Sequence, residues 1–106
     1  MTEKLEAKRD GATLQANSGR GRFAKGDATT EDWCIDYKEY PKGFTVNITN
    51  WGKVCTDAQK AGGLEPTLKI VLGTGQAKTR LFVISETMFH EMNQAYKEKN
   101  EQLREV

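Results

Sequence analysis

Along the 106-residue chain the apolar positions change their spacing several times, and each change predicts a new element. Residues from about Thr2 to Arg9 combine good helix formers with Leu5 as the main apolar contact, and the stretch stops at Asp10-Gly11. Ala12 to Ala16 reads as a short strand closed by a turn at Asn17-Ser18-Gly19. Trp33 to Tyr40 is the best strand of the first half, halted by Pro41-Lys42-Gly43. Immediately afterwards, Phe44, Val46 and Ile48 alternate with Thr45 and Asn47. That alternation predicts a second strand over 44–48, joined to the first in an antiparallel hairpin.

The period then lengthens. Trp51, Val54, Cys55 and Ala58 share one side of a helix from Trp51 to about Lys60, capped by Thr49 or Asn50 and ended by Ala61-Gly62-Gly63. Thr67 to Leu72 and Arg80 to Ser85 are apolar runs of strand length, separated by a turn over 73–78. Ser85-Glu86-Thr87 opens a last helix with Phe89, Met92, Ala95 and Tyr96 as its apolar stripe; beyond Tyr96 the tail is densely charged and predicts a solvated, fraying end. The predicted order is helix, three strands, helix, strand, strand, helix. The middle helix is long enough for a crossover, so the Leu68 strand is expected parallel to an earlier one. The expectation is one α/β domain over 1–106, with a mixed central sheet flanked by helices and a charged C-terminal helix from about 86.

Composition narrows the chemistry. Charged residues make up 29% and hydrophobic ones 37%, as in a globular chain, and no apolar run approaches the ~20 residues that span a bilayer. The opening Met1-Thr2-Glu3-Lys4-Leu5-Glu6 has no apolar signal core, which predicts an intracellular, cytoplasmic protein with no membrane partner. In that compartment Cys34 and Cys55 are expected as reduced packing residues, and with a single histidine they exclude a four-ligand zinc site. Net charge is +1, but Arg20, Arg22 and Lys25 cluster without an acid among glycines 19, 21 and 26. Such a loop suits a phosphate backbone, against the ordinary reading of a solvated Gly-rich loop, and Lys53, with Gln59 and Lys60, is a further candidate phosphate contact on a helix face whose default is solvation. Trp51 is expected as a core or interface aromatic, His90 as a helix-surface residue, and Met88, Phe89 and Met92 as core or subunit-interface packing.

The most informative stretch is Trp33-Cys34-Ile35-Asp36-Tyr37-Lys38. In a strand, the period of two puts Asp36 and Lys38 on one face and Ile35 and Tyr37 on the other. An exposed ion pair is the ordinary reading of an Asp-x-Lys triplet. Here the Asp interrupts an apolar strand, where Asp is depleted, and the basic loop and Gly26-Asp27 lie just before it. If they converge, Asp27 and Asp36 make a sufficient carboxylate pair for Mg²⁺, with Mn²⁺ as a substitute, and the Tyr37 carbonyl as a third protein ligand. Lys38 would then either orient or deprotonate an attacking water, or stabilise charge on a phosphate.

Asn17-Ser18-Gly19-Arg20, Lys25-Gly26-Asp27 and Ile35-Asp36-Tyr37-Lys38, in this helix and strand order, resemble the PD-(D/E)xK nuclease superfamily. Within it the chain is most similar to the Holliday junction resolvases of archaea and phages, over residues 3 to 84. Gly26 stands where the family has proline. The resemblance implies a restriction-endonuclease-like core of α-β-β-β-α-β order. It also implies catalytic roles for Asp27, Asp36 and Lys38, a loop serine at Ser18, and a first-helix acid at Glu6, with Glu3 next. The activity implied is a Mg²⁺-dependent, structure-selective endodeoxyribonuclease acting on branched or double-stranded DNA in recombination and repair, in a bacterial or phage-infected cell. Two symmetric cuts from a one-site domain call for a C2 homodimer. The alternatives are a same-fold nuclease for other DNA structures, a noncatalytic nucleic-acid-binding module, and a protein–protein adaptor.

Overall fold

The computed structural model describes residues 2–14 and 27–105. Eight elements follow one another: α1 (Thr2–Asp10), β1 (Thr13–Leu14), β2 (Asp27–Thr29), β3 (Trp33–Glu39), α2 (Ile48–Lys60), β4 (Glu65–Leu72), β5 (Thr79–Val83) and α3 (Glu86–Glu105). The five strands form one mixed sheet in chain order. Every neighbouring pair is antiparallel except β3 and β4, which run parallel and are joined through α2. A helical crossover is what a parallel neighbour requires, so the expected mixed α/β sheet is present.

Alternation along β3 divides the core into two layers. Ile35 and Tyr37 point to one face, where they bury Ala7 of α1 together with Ala28. Cys34 points to the other and packs with Leu68 against Val54 and Ala58 of α2. The i, i+4 spacing of Val54 and Ala58 keeps both on the sheet-facing side of their helix.

Residues 44–48 do not form a strand. Both edges of β3 are already occupied, by β2 and by β4, and the main chain leaving β3 stays with β4 through Tyr40 N–H to Val71 O at 3.0 Å and Gly73 N–H to Pro41 O at 2.9 Å. The predicted hairpin therefore has no free edge to pair with. Asn47 instead caps α2: its side chain accepts from Asn50 N–H at 2.9 Å, and the Asn50 side chain accepts from Asn47 N–H at 3.1 Å. This reciprocal cap satisfies two donors and starts the helix at Ile48, ahead of the Thr49 or Asn50 cap predicted. Ile48 is left 83% exposed, as its position before the sheet-facing turn demands. The third strand of the first half is β2, three residues long. At its other end α2 stops at Gly62 and Gly63, whose φ values of 109° and 82° suit residues without a Cβ.

The α1 face also buries charge. Lys69, inside the apolar run of β4, lies opposite Tyr37 in register and is 1% exposed. Its Nζ stands 2.6 Å from Glu6 Oε1 and 2.7 Å from Asp10 Oδ1. Arg80 of β5 donates to both Glu6 oxygens at 3.1 Å, and the Tyr37 hydroxyl donates to Asp10 Oδ2 at 3.0 Å. Burial opposes ionisation of Glu6, but the bonds from Arg80 and Lys69 outweigh it and hold the carboxyl below its usual 4.5. A lowered carboxyl stabilises the fold above its unfolded value and loses that contribution as pH falls through the folded one. Lys69→Met should cost about 3 kcal/mol or more at pH 7 in urea unfolding, because two carboxylates lose their buried partner. The deficit should shrink below about pH 4.5, as Glu6 takes up a proton.

Candidate functional site

β2 and β3 bring the two predicted carboxylates together. Asp27 is directly opposite Asp36 in the antiparallel register, so both side chains lie on the α2 face, with Cβ atoms about 5 Å apart. The two residues are 2% and 1% exposed. Among the described residues, no N–H or hydroxyl donates to any of their four buried carboxylate oxygens, and Asp27 faces a second carboxyl, that of Asp57. Lys38, two residues along the same face, brings its Nζ to 3.3 Å from Asp36 Oδ2, an ion-pair distance without hydrogen-bond geometry. Its side chain is partly open to solvent, and the amine also lies 5.8 Å from the Phe44 ring centroid.

A third carboxylate comes from above. Asp57 of α2 is buried beside Asp27 and accepts from Lys53 Nζ at 3.2 Å, one helical turn away. Asp27 is raised far above the usual carboxylate range, first by burial, then by its hydrogen bond to Asp57 and by the charge of Asp36. Burial also opposes the charged form of Asp57, but the proton that Asp27 donates and the Lys53 ammonium keep it low. Lys53 is held above its normal value against burial by Asp57 and Asp27. Cys34, below the carboxylates on β3, is pushed up to about 12 by burial and by Asp27, Asp57 and Asp36, and so remains an uncharged packing thiol.

Among the described residues the cluster holds three acids and two amines. Buried carboxylates without donors are tolerated only when a proton or a cation compensates them. A proton shared by Asp27 and Asp57 answers part of that demand and leaves the Asp36 oxygens without a donor. Among the described residues no set of three or more His, Cys, Asp or Glu side chains closes into a cage for a metal ion. Two carboxylates are nevertheless enough for Mg²⁺, which keeps several of its waters. Asp27 and Asp36 therefore fit a small hard cation held from one side.

The other predicted residues separate into groups. Glu6 lies across the sheet from Asp27 and Asp36, bound to Lys69 and Arg80, and does not join them. Its position on α1 faces the Tyr37 side of β3, so the assignment of a first-helix acid to this site is corrected. Glu3 belongs to the same helix. The Tyr37 side chain also points to the α1 face, which leaves only its main-chain carbonyl for the proposed ligand role. Lys53 is at the site, tied to Asp57. Ser18, Arg20, Arg22 and Lys25 lie outside the described residues. Trp51 packs on the α2 core layer, and His90 is an exposed helix residue 3.7 Å from Glu86. Asp57 was missed by sequence reasoning. Its signal was the i, i+4 pair with Lys53 on the edge of an apolar helix face, which resembles any solvated ion pair.

Because the Asp27 carboxyl is raised above its unfolded 3.8, the folded protein binds a proton that the unfolded chain releases, and stability falls as pH rises through that window. Asp27→Asn should raise Tm in chelator-treated buffer. The gain should be near zero at about pH 4 and grow up to about pH 9, as followed by thermal unfolding across that range.

No protein-family model matches the chain, and no curated protein or solved structure shows significant similarity to it.

Proposed function

We propose that the protein is a Mg²⁺-dependent endodeoxyribonuclease with a restriction-endonuclease-like core, acting on branched DNA as a Holliday junction resolvase does. The observation that carries this reading is the in-register pair Asp27 and Asp36, buried and without donors, with the Lys38 amine beside it. The helix, three strands, helix, strand order supports it, as does the parallel pairing of β3 with β4.

In this reading Asp27 and Asp36 hold the cation, with the Tyr37 carbonyl as an added ligand. When bound, Mg²⁺ supplies charge neutralisation at the phosphate and a more acidic water. Lys38 reaches solvent from the edge of the carboxylate pair, where it would meet a phosphodiester oxygen or the attacking water. Asp57 and Lys53 are positioning residues: Lys53 neutralises Asp57, and Asp57 orients Asp27. The basic residues Arg20, Arg22 and Lys25, with Ser18, are assigned to the DNA by sequence alone. Two symmetric cuts by one-site domains require two copies, so the active form is a C2 homodimer. Within the described residues no helix is long and apolar enough to cross a membrane.

A noncatalytic nucleic-acid-binding module is the second reading, favoured by the burial of Asp27 and Asp36, which shields them from a bulky phosphodiester. A panel of four-way junction, flap, linear duplex and single-stranded DNA, incubated with protein and Mg²⁺, separates the two. A resolvase nicks the junction in preference to the others; no cut on any substrate favours the binding module, and cleavage that survives excess EDTA would sink the metal mechanism. Asp36→Asn and Lys38→Ala should each abolish cleavage while junction binding in a mobility-shift assay stays within about threefold, because affinity rests on phosphate contacts elsewhere. Saturating Mg²⁺ should also raise the wild-type Tm, since a ligand that binds only the folded state stabilises it. Asp36→Asn should remove that rise without itself unfolding the protein.

A further inference from the structure

Past Glu39 the chain leaves β3 beside the carboxylate pair, and the loop that leads to α2 carries rings and aliphatic side chains near the surface. Tyr40 continues the period of two that puts Asp36 and Lys38 on one face, and its ring stacks on that of Phe44, with centroids 5.1 Å apart and planes 28° from parallel. Phe44 in turn lies beneath the Lys38 amine, which stands 5.8 Å from its ring centroid. The two rings thus form a short stack that starts at the edge of the carboxylate site. Phe44 covers one side of the Tyr40 ring, yet Tyr40 stays 46% exposed. Val46 and Ile48, at the end of the loop and in the first turn of α2, are exposed as well.

The chemistry around the rings selects an occupant. From Tyr40 to Thr56 the chain contains no acid, and its two charges are Lys42 and Lys53. An exposed aromatic ring bordered by amines suits a flat ring carried on a chain of negative charges, which describes a nucleobase on its phosphate backbone. Stacking requires that a face of the base be accessible. In a regular duplex neighbouring bases cover both faces, so Tyr40 can accept only a base that has left the stack, as at a bulge, a flap or a branch point. Because the stack begins at Lys38, the nucleotide held there adjoins the phosphodiester assigned to the carboxylate pair.

We propose that Tyr40, backed by Phe44, is a stacking platform for one unpaired nucleobase next to the carboxylate pair. The ligand class rests on the nucleic-acid reading of that pair, and the platform supplies a physical reason for preferring branched to regular DNA. In EDTA, fluorescence anisotropy with a labelled duplex, and with the same duplex carrying a short thymine bulge, should show the wild type preferring the bulge by about tenfold. Tyr40→Ala should abolish that preference, while its affinity for the regular duplex, set by phosphate contacts, stays within about threefold. Tyr40→Phe keeps the ring and should keep the preference. With iodouracil replacing a bulge thymine, irradiation should join the wild-type protein to the DNA at Tyr40, as read by peptide mass mapping. A wild type that does not distinguish the two DNAs, a preference that survives Tyr40→Ala, or a crosslink on another element overturns the platform. The crosslink is read on the unsubstituted chain, so it decides the outcome even if Tyr40→Ala does not fold. Mg²⁺-dependent cleavage of a four-way junction by the same preparation keeps the two readings distinct. Cleavage without the preference removes the platform and leaves the nuclease; preference and crosslink without cleavage keep the platform in a noncatalytic binding protein.

Discussion

The buried ammonium of Lys69 governs how the rest of the molecule is arranged. A lysine inside a sheet is tolerated only if its charge is met, and the two nearest acids, Glu6 and Asp10, both belong to α1. The helix is thereby fixed to one face of the sheet at one rotation, with Arg80 and the Tyr37 hydroxyl completing the network. Ala7 contributes little area of its own to this contact. Polar satisfaction, more than apolar burial, sets where α1 sits.

The same constraint gives the two sides of the sheet opposite electrostatic characters. On the α1 side, Glu6 is met by Lys69 and Arg80, and Asp10 by Lys69 and the Tyr37 hydroxyl. On the α2 side, among the described residues, three buried acids, Asp27, Asp36 and Asp57, face two amines at the margin, Lys38 beside Asp36 and Lys53 beside Asp57. Among the described residues the sheet thus carries a completed charge network on one face and more acids than cations on the other. That asymmetry is the strongest physical support for cation chemistry at the carboxylate pair.

Much of this was legible in the residues. The Asp36-x-Lys38 face, the crossover helix with Val54 and Ala58, the Gly62-Gly63 stop and the α3 start at Ser85 all follow from local spacing and capping. What was not legible depended on occupancy of sheet edges and on partners distant in sequence. Phe44, Val46 and Ile48 alternate like a strand, yet β3 had no free edge to offer them, and the Asn47 cap takes Ile48 into a helix. β2 spans only Asp27 to Thr29, too few residues to show a period. Lys69 was hidden in an apolar run, so nothing in the sequence revealed that Glu6 would be drawn across the sheet. Asp57 was hidden for the converse reason, since its bond to Lys53 is local and its contact with Asp27 is not.

The parallel pairing of β3 with β4 carries a kinetic consequence. Asp36 and Lys38 share one strand, Asp27 reaches them across a nearby antiparallel edge, but Asp57 arrives only when the α2 crossover has closed and β4 has docked. Closing that loop is the high-contact-order step of the topology, and its entropy is spent before the parallel ladder returns it. A partly folded chain holding only the first three strands would present the two aspartates unshielded by α2, with ordinary solvation and no cluster. The electrostatic tension of the site is thus complete only once α2 and β4 have docked.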